Sequence, residues 1–484
     1  RPVFDKHRSY GRYLAGAPSF PLPSRPAILC NERETLMVSV RRAMLAPVLM
    51  LVVLLSAIPA SAVDEFIEIN PFLKKIPLAI PAFKPLSEGA LALETSDEAV
   101  QLMAETLQFT GYFNILDKGA YLEDPRASGI TDASINYRNW TVIGAELLIT
   151  GGVRRTDEAV EMELRLFDTF KGQSVIGKRY RGSPKDTRRI VRKFASEVVF
   201  FLTGNRGYFN SEIAFVSTGT GNKEIYIAEF DGRNPAQFTR TKNITLSPAW
   251  SPDAQWLAYT AYPKNRPFLY IKHRHHKRGY EIGNKGLNIT PAWVPEADPS
   301  ASLDDMRLAA TLSFTGDQEI YLLTGKGKII KRLTKSWGSD VSPTWSPDGK
   351  KFAFVSNRSG NPHIYVKDLD SGRVDRLTFQ GRYNTQPSWS PKGDKLAYAG
   401  MEGSRNDIFV IGFNGRPPVQ LTRDAGNNES PSWSPDGSMI VFSSNREGRS
   451  RIYVMTAFGT DQRRLLTLPG EQTNPQWSPN KHLN

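Results

Sequence analysis

The sequence predicts a mainly-β chain in which a small mixed α/β domain precedes a six-bladed β-propeller. Three observations lead there. The first is a phrase written six times, a proline two residues before a tryptophan and then a Ser-Pro-Asp-Gly-like turn. The second is its spacing: Trp250, Trp293, Trp345, Trp389, Trp433 and Trp477 lie 43, 52, 44, 44 and 44 residues apart, the period of a four-stranded blade and too long for a leucine-rich or ankyrin unit. The third is that helical periodicity stops at Gly204-Asn205-Arg206-Gly207. The repeats therefore fill only the second half of a 484-residue chain that exceeds what one hydrophobic core covers.

Residues 1–36 show no apolar periodicity and precede Met37, and are read as a non-native upstream extension without a fold. Residues 37–62 read as a signal peptide: Arg41 and Arg42, an apolar run from Ala43 to Ile58, and the small-residue site Ala60-Ser61-Ala62. The run to Val63 is almost long enough to span a bilayer, but Pro47, Pro59 and the small residues favour cleavage. Arg41-Arg42 also fits a twin-arginine pair, although its flanks suit ordinary secretion better. The single cysteine, Cys30, falls in this leader, so the exported part is expected to need no disulfide and to carry no lipid. A soluble periplasmic protein is the expectation. The leader holds eight Lys/Arg against three Asp/Glu, which leaves about +8 of the formal +13 on the rest. Export removes such a chain from nucleic acid, and no basic stripe carries interleaved aromatics; anionic membrane surfaces or acidic protein faces remain as attractions.

Residues 63–205 are assigned to the α/β domain. Glu65 to Ile69 alternates with period two, and Lys75 to Phe83 is an apolar run whose Pro77 and Pro81 suit an edge strand. A helix is expected after Ser96, with Val100, Met103, Ala104 and Leu107 on one face and Gly111 as its end. Strands are expected around Leu147–Ile149, Met162–Phe167 and Val175–Tyr180. A closing helix from about Lys185 to Leu202 places Ile190, Val191, Phe194, Val198 and Phe201 together and stops at Gly204.

Residues 206–484 are assigned to the propeller. Ser346-Pro347-Asp348-Gly349 fits a type I turn, with proline fixing φ and glycine accepting positive φ. Strands are expected at Lys351–Ser356, His363–Leu369 and Arg373–Thr378, and the later repeats follow suit. A blade alone leaves both faces wet, so each tryptophan should be buried against a neighbouring blade. The last repeat supplies one strand after Gly470; Glu212–Ser217 and Glu224–Ala228 match the missing ones, so both ends are expected to pair in one blade. The long interval after Trp293 places extra residues around Asp298 to Asp305, in a loop.

Taken together, the leader, the α/β domain, the Trp-Ser-Pro-Asp-Gly-type repeats and the split-blade closure resemble the TolB family, periplasmic components of the Tol–Pal envelope system. The resemblance implies a non-enzymatic binding scaffold that supports outer-membrane integrity and cell division. It implies Pal, the peptidoglycan-associated lipoprotein, held on one propeller face, and TolA reached through the extended N-terminus, here Val63, Asp64, Glu65, Phe66, Ile67, Glu68 and Ile69. Such a segment adds as a strand to a partner sheet or lies as an edge strand on its own domain. The Pal-facing positions precede each Pro-x-Trp: Asn243, Thr245, Asn288, Ser339, Asp340, Asn384, Thr385, Asn428, Glu429, Gln472 and Thr473. These are small, mostly uncharged residues suited to a protein surface, and Asn, Thr and Asp also simply favour turns. The family pattern further implies a monomer peripheral to the membrane, with other outer-membrane proteins as additional contacts.

A catalytic constellation is missing from the sequence. It lacks a Gly-x-Ser-x-Gly elbow, a His-Glu-x-x-His motif and phosphate or dinucleotide glycine loops. The cluster His273, His275, His276 is crowded by Lys272, Arg274, Lys277 and Arg278, which disfavours a metal. No cofactor, metal or nucleic acid is expected. The competing assignment is an exported propeller enzyme of lyase or lactonase type, or the propeller of a protease, since those share the repeat.

Overall fold

Among the described residues, six antiparallel sheets of four strands each form the larger part, and a mixed sheet with two long helices precedes them. The computed structural model describes residues 74–480 apart from 125, 127, 128, 296, 297, 299 and 300. The leader and the segment Val63–Ile69 thus lie outside the described residues. Among the described residues no helix is long and apolar enough to cross a membrane.

The mixed sheet contains β1 (Ile76–Ala79), β2 (Lys84–Pro85), β3 (Phe113–Ile115), β4 (Leu147–Arg155), β5 (Val160–Asp168) and β6 (Gln173–Gly182), in the order β3-β1-β4-β5-β6 with β2 also on β4. β1 is therefore an interior strand, parallel to both neighbours, and the edge position expected from its prolines is corrected. The reason is register. Pairing with β4 begins at Leu78, one residue beyond Pro77, so no ladder donor is needed there, while the Pro77 carbonyl still accepts from Glu146 N at 2.9 Å.

Helix α1 (Ala90–Phe109) starts earlier than the sequence indicated. Ser96 lies inside it, and its hydroxyl donates to the Ala92 carbonyl at 2.7 Å rather than capping the helix. After the short α2 (Tyr137–Val142), helix α3 (Thr187–Thr203) closes the domain. Gly204 ends α3 with φ 73°, its N–H donating to the Phe200 carbonyl. Ile190, Val191, Phe194 and Val198 are buried with Val100, Met103 and Leu107 of α1 against the sheet; Phe201 is 52% exposed and does not join them.

Each propeller sheet runs outward from an inner strand that ends on the repeat tryptophan. Blade 1 joins Gln472–Trp477 to Glu212–Ser217, Glu224–Glu229 and Ala236–Gln237, so strands more than two hundred residues apart close the ring. Blades 2 to 6 begin at Thr245–Trp250, Asn288–Trp293, Asp340–Trp345, Tyr383–Trp389 and Asn428–Trp433. In blade 3 the inserted residues fall between Trp293 and Arg307, outside the strands.

All six tryptophans are buried, none more than 8% exposed. Four of them bridge the seam between blades. The indole N–H groups of Trp250, Trp293, Trp345 and Trp433 donate to the carbonyls of Gln476, Ala249, Ala292 and Ser388, in each case the residue just before the preceding blade's tryptophan. Trp389 donates instead to Gly393 within its own turn, and Trp477 to the Ser211 hydroxyl at 2.7 Å. The turn after Trp345 forms as expected, with Gly349 N donating to the Ser346 carbonyl at 2.9 Å and Gly349 at φ 66°.

The α/β domain packs on the tryptophan-end face of the ring. Its contacts fall on the turns between the third and fourth strands of blades 6 and 1. Lys75 pairs with Asp461 at 2.9 Å, Arg463 donates to the Phe109 carbonyl at 2.6 Å, Arg233 pairs with Glu105, and Arg192 holds both Glu229 and Asp231. Phe109, Tyr208, Phe209, Phe230 and Trp477 form a cluster of mostly edge-to-face pairs with centroid separations of 5.2 to 6.1 Å, tying the linker and the ring closure to α1.

Two predictions follow from this packing. Trp345→Ala should cost about 3–5 kcal/mol through cavity and transfer losses, and Trp345→Phe about 1–2 kcal/mol, both read from denaturant midpoints. Glu229 offers a pH test. Burial pushes its carboxyl upward, but Arg192, Asn234 and Arg188 outweigh this and hold it below the ordinary 4.5. Its contribution is complete above that value and fades as pH falls through the lower folded one. The stability gap between wild type and Glu229→Gln should therefore shrink on acidification below about pH 4.5.

Candidate protein-binding face

Strand direction decides which loops are free. Inner strands run toward the turns that meet the α/β domain, so the loops preceding each inner strand, and those between second and third strands, occupy the opposite face. All eleven positions singled out before the Pro-x-Trp phrases fall on this far face, at the starts of inner strands.

Six of them form a buried register. Thr245, Asn288, Asp340, Asn384, Asn428 and Gln472 are at most 2% exposed, one in each blade. Their side chains hold the far-face loops from beneath. Thr245 Oγ1 donates to the Lys223 carbonyl, Asn288 Nδ2 to the carbonyls of Pro267, Asn284 and Gly286, and Gln472 Nε2 to those of Leu468, Pro469 and Gly470. Asn384 Nδ2 donates to the Gln380 carbonyl and meets His363 Nδ1 at 2.9 Å. Burial, then the charge of Arg376, lowers the His363 pKa, which favours the neutral ring, whose Nδ1 can accept from Asn384.

Blades 4 and 6 use one device. Arg358 reaches Asp340 at 2.7 Å and Ser356 at 2.8 Å, while Arg446 reaches Asn428 at 3.0 Å and Ser444 at 2.9 Å. Both guanidinium groups come from a Ser-Asn-Arg phrase whose asparagine accepts from the next loop's backbone, Asn357 from Ser339 N and Asn445 from Asn427 N. The remaining positions, Asn243, Ser339, Thr385, Glu429 and Thr473, are half-buried. They form the accessible part of the set.

Two features of this face escaped the sequence reading. The residue before each inner-strand proline is left-handed in all six blades: Ser247, Thr290, Ser342, Gln386, Ser430 and Asn474 have φ between 49° and 55°. Each marks a bulge where the strand register shifts. Non-glycine residues rarely adopt this backbone, and here six polar ones with their prolines line an axial channel of about 180 Å³. They also bond around the ring, Ser430 N donating to Gln386 Oε1 at 2.8 Å and Asn474 Nδ2 to Ser430 Oγ at 3.1 Å. The signal was present as an invariably polar residue before each proline.

The second feature is apolar. Trp337 is 75% exposed and Phe379 71%, with Tyr383 and Phe314 also exposed; Tyr383 begins the inner strand of blade 5 and the other three lie on loops that join far-face strand ends of blades 3 to 5. Arg376 lies over the Phe379 ring at 4.9 Å, and Phe314 packs beside Tyr321 at 4.9 Å. Large exposed aromatics on consecutive blades have the character of a protein-binding surface.

Elsewhere the acids of the repeats are engaged in turns. Asp348 accepts from the Ser346 hydroxyl at 2.5 Å and from Lys350 N at 3.1 Å; those hydrogen bonds, Ser346's first, hold its carboxyl below the usual range. His273 Nδ1 accepts from the backbone N–H of His275 and His276, both at 3.1 Å. Among the described residues no three His, Cys, Asp or Glu side chains are grouped to hold a metal.

Comparison with known proteins places this geometry. A family model described as the TolB beta propeller domain matches residues 200–481, and one described as the TolB amino-terminal domain matches residues 67–175. The chain is 54% identical over 289 residues to the Tol-Pal system protein TolB of Desulfosudis oleivorans, covering 59% of this chain and 64% of that one. It is 42% identical over 257 residues to the protein TolB homolog of Chlorobium luteolum, covering 53% and 56% respectively. The matches thus span less than two thirds of these curated relatives. Among solved structures, TolB from Acinetobacter baumannii superposes with a TM-score of 0.72 at 26% identity, over 84% of this chain and 97% of that one.

Proposed function

Since the chain belongs to the TolB family, we propose that it acts by binding rather than by catalysis, as a periplasmic scaffold of the Tol–Pal envelope system. In this reading the far propeller face grips the lipoprotein Pal near the outer membrane. Residues Val63 to Ile69 reach TolA as an added strand. The pairing links the two membranes and supports outer-membrane integrity and division.

The observation that carries the reading is the arc of exposed Trp337, Phe379, Tyr383 and Phe314 on the face turned away from the α/β domain. Interfaces draw most of their affinity from a few such aromatics set among polar, water-excluding neighbours. The half-buried Ser339 and Thr385 are neighbours of that kind, on loops held by the buried Asp340 and Asn384. Engagement of the repeat acids in turn hydrogen bonds, as at Asp348, also favours a binding role over an acid–base one.

Pal binding tests the face. Truncating Trp337 and Phe379 together to alanine should weaken Pal affinity by about 100-fold or more, with an unchanged melting temperature because both rings are largely exposed. Unchanged affinity would overturn the assignment. Removing Val63 to Ile69 should abolish TolA binding and leave Pal binding intact, measured by titration calorimetry with each partner. Retained TolA affinity would defeat that half of the proposal.

A further inference from the structure

The far face is divided by chemistry. Next to the aromatic arc, four loops in blades 1 and 2 carry Lys223, Arg240, Lys242, Lys264, Arg266 and Lys285, all exposed. Hydrogen bonds join these loops into one surface. Thr245 N donates to the Lys223 carbonyl at 2.8 Å, Lys242 N to Glu224 Oε1 at 2.7 Å, Tyr262 N to the Ile244 carbonyl at 3.0 Å, and Asn288 Nδ2 to the Pro267 carbonyl at 3.2 Å.

The positive charge of this sector is uncompensated. Among the described residues none of the six cations forms an ion pair within the chain, in contrast to Arg233 and Arg274 on the other face. The carboxylate beneath these loops, Glu224 at the start of its strand, is 2% exposed and accepts from Thr239, Thr241 and Lys242 N. Among the described residues the exposed acids of the same face lie outside these four loops: Glu471 beside Thr218 and Asp317 in blade 3 at the flanks, and Glu402, Asp424 and Glu447 in blades 5 and 6. Burial, and then the Arg240 guanidinium, holds the neighbouring Lys272 ammonium below its ordinary range. Lys242 and Lys264 stand at φ 54° and 53°, where glycine or asparagine sits with less strain. Between these cations Ile244 is 43% exposed.

Lysine is depleted in protein interfaces, which favour aromatic anchors and arginine forks. The aromatic arc has such anchors, whereas the aromatics of this sector, Tyr262 and Phe268, are half-buried, with Arg266 over the Phe268 ring at 5.9 Å. Flexible lysines around an exposed aliphatic side chain instead match a surface of mobile phosphates over hydrocarbon. We propose that this sector docks on an anionic phospholipid surface, with lysines and arginines against lipid phosphates and Ile244 entering the headgroup boundary. The lipid contact is separate from the protein-binding role argued above, so either can fail without the other.

Sedimentation of the full chain with vesicles tests it. Binding to equimolar phosphatidylcholine and phosphatidylglycerol should exceed binding to phosphatidylcholine alone by about tenfold or more, and should fall steeply as salt is raised. The triple variant Lys242→Glu, Lys264→Glu, Arg266→Glu should drop to the level seen with neutral vesicles. Ile244→Ser should weaken binding about threefold without changing the salt dependence. Trp337→Ala should leave vesicle binding unchanged. Every variant carries the same residues 37–62, so the apolar run there contributes equally, and melting curves check that each is folded. Equal binding to both vesicle types overturns the proposal, as does a charge-reversed variant that binds like wild type. Capture of polyglutamate without vesicle binding overturns it in favour of an acidic protein.

Discussion

The seam between neighbouring blades is the constraint on which the ring depends. A four-stranded sheet cannot bury both of its faces alone, and here the covering side chain is the tryptophan that ends each inner strand. Its indole N–H does more than fill space. In four blades it donates to a carbonyl of the preceding inner strand, which fixes how far one blade slides past the next. The two exceptions stand where the geometry differs: Trp477 bonds to Ser211 at the closure, and Trp389 bonds into its own turn with Phe413 stacked on it at 4.9 Å.

Architecture was legible because its signals repeat. Six Pro-x-Trp phrases at a blade-length period announced the ring, and Glu212–Ser217 announced its closure because a strand pattern stood there without an inner partner. Signals that depend on register were harder to see. Proline in β1 reads as an edge strand until one knows that its neighbour begins a residue later. Ser96 reads as a cap, yet a serine that bonds its own i−4 carbonyl sits equally well inside a helix. Thr245, Asn288 and Gln472 read as exposed turn formers, whereas their hydrogen-bonding capacity is consumed beneath the loops. Exposure itself has no pattern in one chain: Trp337 and Trp345 are the same residue type eight positions apart, and only the fold separates the wet ring from the buried one.

The two faces of the ring have different work. The tryptophan-end turns are covered by the α/β domain through arginine–carboxylate pairs and an aromatic cluster that includes Trp477, so domain docking and ring closure share side chains. A disturbance at α1 is thereby felt at the closing blade. The far face is built from loops whose bases are hydrogen-bonded to buried polar residues and whose tips carry varied, solvent-facing side chains. That division lets tips change without loss of the ring, which is how one scaffold can present aromatic and cationic sectors side by side.

The pairing of Gln472–Trp477 with Glu212–Ser217 also sets an order of events in folding. Blades 2 to 6 are each drawn from one continuous stretch and can form locally as the chain emerges. Blade 1 has no inner strand until the last repeat has been made. Until then its edge and the aromatic cluster beside it stay uncovered, a long-range contact that forms late and slowly. Any delivery of the chain with its N-terminal end first leaves the latch undone for that interval, so arrival of Gln472–Trp477, rather than of the first blade strands, is the moment at which the ring can close.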